Sequence, residues 1–162
     1  MRIVPILQAL FLLTLANGTP VIVKRIFGSR MAFPLDAGVQ FLDGQPLFGS
    51  SKTVRGVVSS IAVTAGLAPL LGVSVVAGSL AAALAMVGDL FSSFVKRRFR
   101  LRPSTQAIGL DQIPESLLPL LACQTMLSLT FTDIPVCVGI FVAGELIISR
   151  LLYRLHVRDQ PF

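Results

Sequence analysis

From Gly56 to Gly88 the chain runs for 33 residues without a charged side chain, and Asp89 follows immediately. A bilayer crossing takes ~20 helical residues, so this stretch is too long for one span and too apolar for a soluble surface. Pro69 and Gly72 supply a break inside it, dividing it into two helices. The second has only 16 uncharged residues, Val73 to Gly88, and must continue through Asp89 toward Lys96 to reach the length of a membrane. Asp89 therefore falls inside the membrane near one edge. A carboxylate there costs about 2.5 to 3.5 kcal/mol if it faces hydrocarbon, so such groups turn toward a polar cavity.

The rest of the composition agrees. Hydrophobic residues make up 54% of 162, mean hydropathy is +0.81, and there are only 14 basic and 8 acidic side chains. This is the profile of an integral membrane protein. Five spans are expected in an all-α bundle, at Ile3 to Val23, Val54 to Leu71, Val73 to Phe99, Glu115 to Phe131 and Ile134 to Leu155. With five crossings, Lys24, Arg25, Arg30, Lys52, Arg55, Lys96, Arg97, Arg98, Arg100, Arg102, Arg150, Arg154 and Arg158 share one face, and only Arg2 lies on the other. The positive-inside rule makes that face cytoplasmic, with the N-terminus outside and the C-terminus inside, in the cytoplasmic membrane. The pI near 10.4 is thus a membrane pattern, and nucleic acid is not expected as a partner. Arg2 ahead of an apolar run also resembles a signal peptide, but cleavage near Gly18 would send the basic segment after Lys24 across the membrane.

The whole chain, 1–162, reads as a single transmembrane domain with cytoplasmic loops at about 24–53 and 100–114. The first is rich in turn signals, Phe33-Pro34, Asp43-Gly44 and Gln45-Pro46, and is too short to bury a core of its own. It is expected to lie over the cytoplasmic mouth of the bundle. Cys123 and Cys137 sit in predicted spans with no metal or disulfide spacing, as small apolar fillers. Gly66 with Gly72 and Gly78 with Ala82 would permit the close helix contacts of a homodimer.

On one helix, Asp89, Ser92 or Ser93, and Lys96 stack along a single face. Asp89 and Asp111 bracket the basic cluster, where two carboxylates among Lys and Arg suit a divalent cation holding a polyphosphate. Ordinary ion pairs, Asp89 with Lys96 and Asp111 with a nearby Arg, are the alternative, and spacing alone leans toward them. The run Gly49-Ser50-Ser51-Lys52-Thr53-Val54-Arg55-Gly56 enters the second helix with small residues, a helix N-terminus and two cations, all suited to phosphate, although flanking charge that anchors a helix looks the same. It is not a Walker A loop, since Ser50 stands where Lys would have to follow Gly49. Glu145 is expected to be satisfied by Ser149 or by a neighbouring helix, His156 to be solvated, and Asn17 and Pro20 to shape the first helix.

Taken in order, Asn17-Gly18-Thr19-Pro20, Pro34-Leu35-Asp36, Phe41-Leu42-Asp43-Gly44, Phe48 to Gly56, Gly88-Asp89-Leu90-Phe91-Ser92-Ser93-Phe94-Val95-Lys96-Arg97-Arg98 and Leu110-Asp111-Gln112 resemble the CDP-archaeol synthases, small relatives of the phosphatidate cytidylyltransferases. The resemblance implies a CTP-dependent cytidylyltransferase in phospholipid biosynthesis, in which a lipid phosphate, archaetidic-type or phosphatidic acid, attacks the α-phosphate of CTP, releases pyrophosphate and leaves a CDP-lipid. It implies Mg2+ held by Asp89 and Asp111. Lys52, Arg55, Lys96 and Arg97 would hold the triphosphate or lipid phosphate, with Lys96 catalytic and Thr53, Ser93 and Arg98 beside them. The larger relatives carry His-Gly-Gly before the Leu-Asp motif and a further Asp after it; here Gln106 to Gly109 precede, Pro114 follows, and Glu115 would take the second acid's place. The competing reading is a catalytically silent membrane homologue serving in interaction or lipid transport.

Overall fold

The computed structural model describes residues 2–101 and 107–154; Arg102, Gln106, His156, Arg158 and the tail after Arg154 lie outside them. Its helices are α1 (Ile3–Phe27), α2 (Val54–Leu67) continued by a 3-10 turn (Ala68–Leu71), α3 (Val75–Arg98), α4 (Gln112–Ala122) and α5 (Asp133–Arg154). Among the described residues there is no β-strand, only two isolated bridges in the loop before α2. The break at Pro69 to Gly72 falls where expected, with Gly72 adopting φ +71 to end the 3-10 turn.

Among the described residues, four helices are long and apolar enough to cross a membrane: α1, α2 with its 3-10 turn, α3 and α5. Their outward faces carry exposed Leu7, Val58, Val76 and Ile147. Small side chains fill the inside, with Ala77, Ala81, Ala82 and Ala85 at most 3% exposed. Apolar outside and small inside is the arrangement expected of helices packed in lipid. Cys123 and Cys137 are both fully buried among them.

The fourth expected span departs from a continuous helix over Glu115 to Phe131. Helix α4 begins earlier, at Gln112, and ends at Ala122 after 11 residues, the backbone continuing in turns until Ser128 takes a positive φ of 54. Its two ends lie at opposite ends of the bundle: Asp111 meets Lys96 at the end of α3, whereas the carbonyl of Ser128 accepts from Arg2 before α1. The Arg2 backbone N–H also donates to Asp133, the first residue of α5.

Close approach sets the packing. A Cβ on Gly88 would come within 2.4 Å of the Pro114 carbonyl oxygen and 2.6 Å of the Glu115 nitrogen, so α3 and α4 touch backbone to backbone. A Cβ on Gly78 would fall 2.6 Å from that of Ala68, and Ala82 is buried, so the pair expected to permit dimerisation serves packing within the chain. Pro20 lies inside α1 and has no N–H for the carbonyl of Ala16. Ser60 Oγ of α2 donates to that carbonyl at 2.7 Å, repairing the ladder where water cannot.

The loop before α2 is ordered by one carboxylate. Asp36 accepts from the backbone N–H groups of Gly38, Phe48 and Gly49 at 3.1, 3.0 and 2.9 Å. Burial pushes this carboxyl upward, and the donors from Gly49, Phe48 and Gly38 outweigh it, holding it below the ordinary value.

Gly88→Ala is expected to cost about 1 to 3 kcal/mol by overpacking, read as a lower melting temperature in detergent, whereas Gly139→Ala, with nothing near its Cβ position, should change little. Equal melting of both variants would mean that α3 and α4 have room to spare. Asp36→Asn should cost about 1 to 3 kcal/mol at neutral pH by leaving backbone donors unmatched. Because the folded carboxyl is held low, the native advantage is complete above about pH 4 and disappears as pH falls through the folded value, so the two proteins should converge in acid. A pH-independent gap in thermal unfolding would contradict this.

Candidate functional site

At the basic end of the bundle, charges from four segments meet. Lys52, two residues before α2, places Nζ 2.5 Å from both oxygens of Asp89 on α3. Lys96, two turns beyond Asp89, pairs with Asp111 Oδ1 at 2.7 Å, just before α4. The expected ion pairs are therefore exchanged: Asp89 takes Lys52 in place of Lys96, and Asp111 takes Lys96 in place of an arginine. The cause is the loop before α2. Asp36 binds the Gly49 N–H, the Gly49 carbonyl accepts from Lys52 N at 3.1 Å, and Leu35 N–H donates to the Lys52 carbonyl, which turns the lysine inward over α3.

Lys52 and Asp89 retain 23% side-chain exposure, and Lys96 and Asp111 only 10% and 14%. The first pair is the accessible one. Burial works against the Lys52 ammonium, but the Asp89 carboxylate outweighs it, with help from Glu115 and Asp111, and holds the amine above its ordinary value. Lys96 in turn lies within electrostatic reach of Asp89, so two lysines and two aspartates form one alternating set.

Glu115 adds a third carboxylate. It is 5% exposed and lies within hydrogen-bonding reach of the Asp89 side chain. The backbone contact of Gly88 with Pro114 and Glu115 is what brings it there. Glu145 of α5 lies within electrostatic range behind it. The ammonium groups of Lys52 and Lys96 are the charges that offset two acids placed so near each other. The sequence carried a signal for Glu115, one helical turn after Asp111, and for Gly88 as the residue before Asp89 in the matched run, but not for the contact of Gly88 with α4.

The remaining predicted residues divide. Ser93 is 3% exposed, one turn from Asp89 on the same side of α3, while Ser92 Oγ turns back to the carbonyl of Gly88 at 2.8 Å. Arg97 is 5% exposed and packs beside Gly49, with Nε 3.9 Å from where a glycine Cβ would stand. Thr53 is the N-cap of α2, its hydroxyl accepting from Gly56 N–H at 3.2 Å. Arg55 leans away toward the end of α1, donating to the carbonyls of Gly28 and Arg30. Arg98 is gripped by the loop and lies away from the paired charges.

The donor set suits a hard divalent ion. Among the described residues no three His, Cys, Asp or Glu side chains converge as a cage. Mg2+ needs no such cage, taking one or two carboxylates and completing its shell with phosphate and water oxygens. Asp89 and Glu115 present facing carboxylates, and the ammonium of Lys52 already sits on the two-oxygen edge of Asp89 where a cation binds. The arrangement can hold a polyanion through cations and an ion through acids.

A family model described as CarS-like, CDP-archaeol synthase, matches residues 1–162. A CDP-archaeol synthase of Thermofilum pendens is 40% identical over 103 residues, covering 60% of this chain and half of that protein. One of Pyrobaculum calidifontis is 34% identical over 155 residues, covering 91% of this chain and 90% of that one. A solved structure described as an intramembrane enzyme for archaeal membrane lipids biosynthesis superposes with a TM-score of 0.66 at 29% identity, over 89% of this chain and 91% of the other. A bundle with this charge set, matched along its whole length, belongs to the CDP-archaeol synthase family.

Proposed function

We propose that the protein transfers CMP from CTP to a glycerol-lipid phosphate, releasing pyrophosphate and leaving a CDP-lipid. The observation that carries this reading is the convergence of Lys52, Asp89, Lys96, Asp111 and Glu115 at the polar end of an apolar bundle. There a water-soluble nucleotide and a membrane-anchored phosphate can both arrive. The name shared by the relatives favours an archaeol-type lipid over an acyl one. Holding five charged groups together in partial burial costs desolvation energy, which favours an enzyme over a silent homologue.

Such a transfer is mainly positioning and charge neutralisation. An oxygen of the lipid phosphate attacks the α-phosphorus of CTP as the bond to the β-phosphate oxygen breaks, and the pyrophosphate carries away the bonding pair. Lys52, at the mouth, meets the triphosphate and leaves Asp89 as it does so. Lys96 and Arg97, deeper in, hold charge that builds on the transferring phosphate. Asp111 fixes Lys96 in place, and Ser93 completes the polar wall beside Asp89. Asp89 and Asp111, with Glu115 in contact with Asp89, are the groups that would hold Mg2+, which would screen the two reacting phosphates from each other when bound. Thr53 supports the site through the helix cap that sets the direction of Lys52, and Arg55 lies on its rim.

For topology, five crossings with the N-terminus outside remain the reading that fits the charges best. The stretch from Asp111 to Ser128 reaches from the Lys96 end of the bundle to the Arg2 end, which supports counting α4 and its turns as one crossing. The site then faces the cytoplasm, the compartment that holds CTP, and the enzyme resides in the cytoplasmic membrane.

Asp89→Asn and Asp111→Asn should each reduce CMP transfer from radiolabelled CTP to lipid phosphate by about a thousandfold or more, the scale of losing a principal transition-state contact, in protein that still folds but melts lower because a lysine has lost its counter-charge. Lys52→Ala should lower kcat/KM by about a hundredfold. Full transfer by either Asn variant would remove that acid from the site, and wild-type kinetics for Lys52→Ala would remove the lysine.

A further inference from the structure

The last turn of α3 makes a contact that the charge set does not explain. Residues 40–46 form a miniature hairpin closed by a Gln40–Pro46 bridge, with Phe41 N–H donating to the Gln45 carbonyl at 2.8 Å and Gly44 N–H to the Phe41 carbonyl at 2.9 Å. Arg98 is inserted into it. Its guanidinium lies 4.7 Å from the ring centroids of both Phe41 and Phe94, which meet edge to face at 5.3 Å. One terminal nitrogen, Nη2, donates to the carbonyls of Pro46 and Gln45 at 2.7 and 3.3 Å, and Nε lies 2.9 Å from Asp43 Oδ2. Both Nε and the other terminal nitrogen, Nη1, are sealed from the surface.

A guanidinium set against two rings, paired with an acid and engaged by two carbonyls, with Nη1 buried, turns no edge outward to a phosphate. We infer that Arg98 is a positioning residue that clamps the 40–46 hairpin to α3 and thereby holds Lys52 over Asp89. The connection is short. Pro46 leads within three residues to Gly49, which Asp36 pins and whose carbonyl accepts from Lys52 N–H. Asp89 lies nine residues before Arg98 on the same helix, so one rigid element fixes both the anchor of the loop and the group its lysine must reach. Whereas Lys96 and Arg97 turn inward, the third member of the basic run holds the loop shut. The consequence for turnover rests on the cytidylyltransferase reading; the clamp itself does not.

The shape of the contact makes it testable against simple phosphate binding. Lysine keeps the charge but has one nitrogen in place of the planar fork that reaches the carbonyls through Nη2 and Asp43 through Nε while lying against two rings, and neither Phe41 nor Asp43 can bind a phosphate. In purified protein without substrate, Arg98→Lys, Phe41→Leu and Asp43→Asn should each speed hydrogen exchange of amides in segment 39–49 by about tenfold while α1 exchanges as before. Each should also lower CMP transfer by about tenfold, and Arg98→Lys combined with Asp43→Asn should be no worse than the poorer single variant. Wild-type exchange and transfer in Arg98→Lys would overturn the inference. So would unchanged transfer in Phe41→Leu and Asp43→Asn alongside a raised KM for CTP in Arg98→Met, which would make Arg98 a nucleotide contact. If the wild-type protein transferred no CMP, the cytidylyltransferase reading would fall, and exchange alone would decide the clamp.

Discussion

The structure depends on placing like and unlike charges side by side at the end of a bundle that has almost none elsewhere. Asp89 is tolerated at the edge of an apolar helix because Lys52 closes on both its oxygens and Lys96 lies within electrostatic reach. Removing one partner from such a set strands the others, which costs far more than the pair contributes when intact. The set is therefore a reason for the fold to hold its helices in one arrangement, and a reason for a charged ligand to bind there.

Close backbone contact makes that arrangement possible. Gly88 lets α4 approach until Glu115 touches the carboxylate that follows Gly88 in sequence. Gly88 and Asp89 occupy adjacent positions, so the packing of α3 against α4 and the makeup of the charge cluster cannot vary independently. The loop before α2 brings the opposite charge by another device: Asp36 folds the segment around three backbone donors, and its end delivers Lys52. Loop order and site order are one property, since a loosened loop leaves Asp89 facing Glu115 with its counter-charge withdrawn.

Much of this was legible in the sequence. The uncharged stretch with its Pro69 break gave α2 and α3 to within a few residues, because burial in lipid requires length and apolarity and both are local properties. Asp89, Lys52, Lys96 and Asp111 stood out as charges beside apolar runs, and the fold gathers all four. Their pairing was not legible. Helical spacing suggested Asp89 with Lys96, and only the three-dimensional course of the loop gives Asp89 to Lys52 and Lys96 to Asp111. Arg97 and Arg98 are indistinguishable as sequence neighbours, yet one packs inward beside Gly49 and the other lies against the paired rings of Phe41 and Phe94. The early end of α4 was also unreadable, since residues 123–128 hold no charge, proline or glycine to mark a helix end and yet continue it as turns.

Binding of CTP to the purified protein in detergent, titrated by calorimetry with and without Mg2+, addresses the central claim most directly. Acids that hold an ion and lysines that hold phosphate predict metal-dependent binding in the wild type, and its loss in Asp89→Asn with the fold intact. Equal CTP affinity with and without the ion, or undiminished affinity in that variant, would contradict the account.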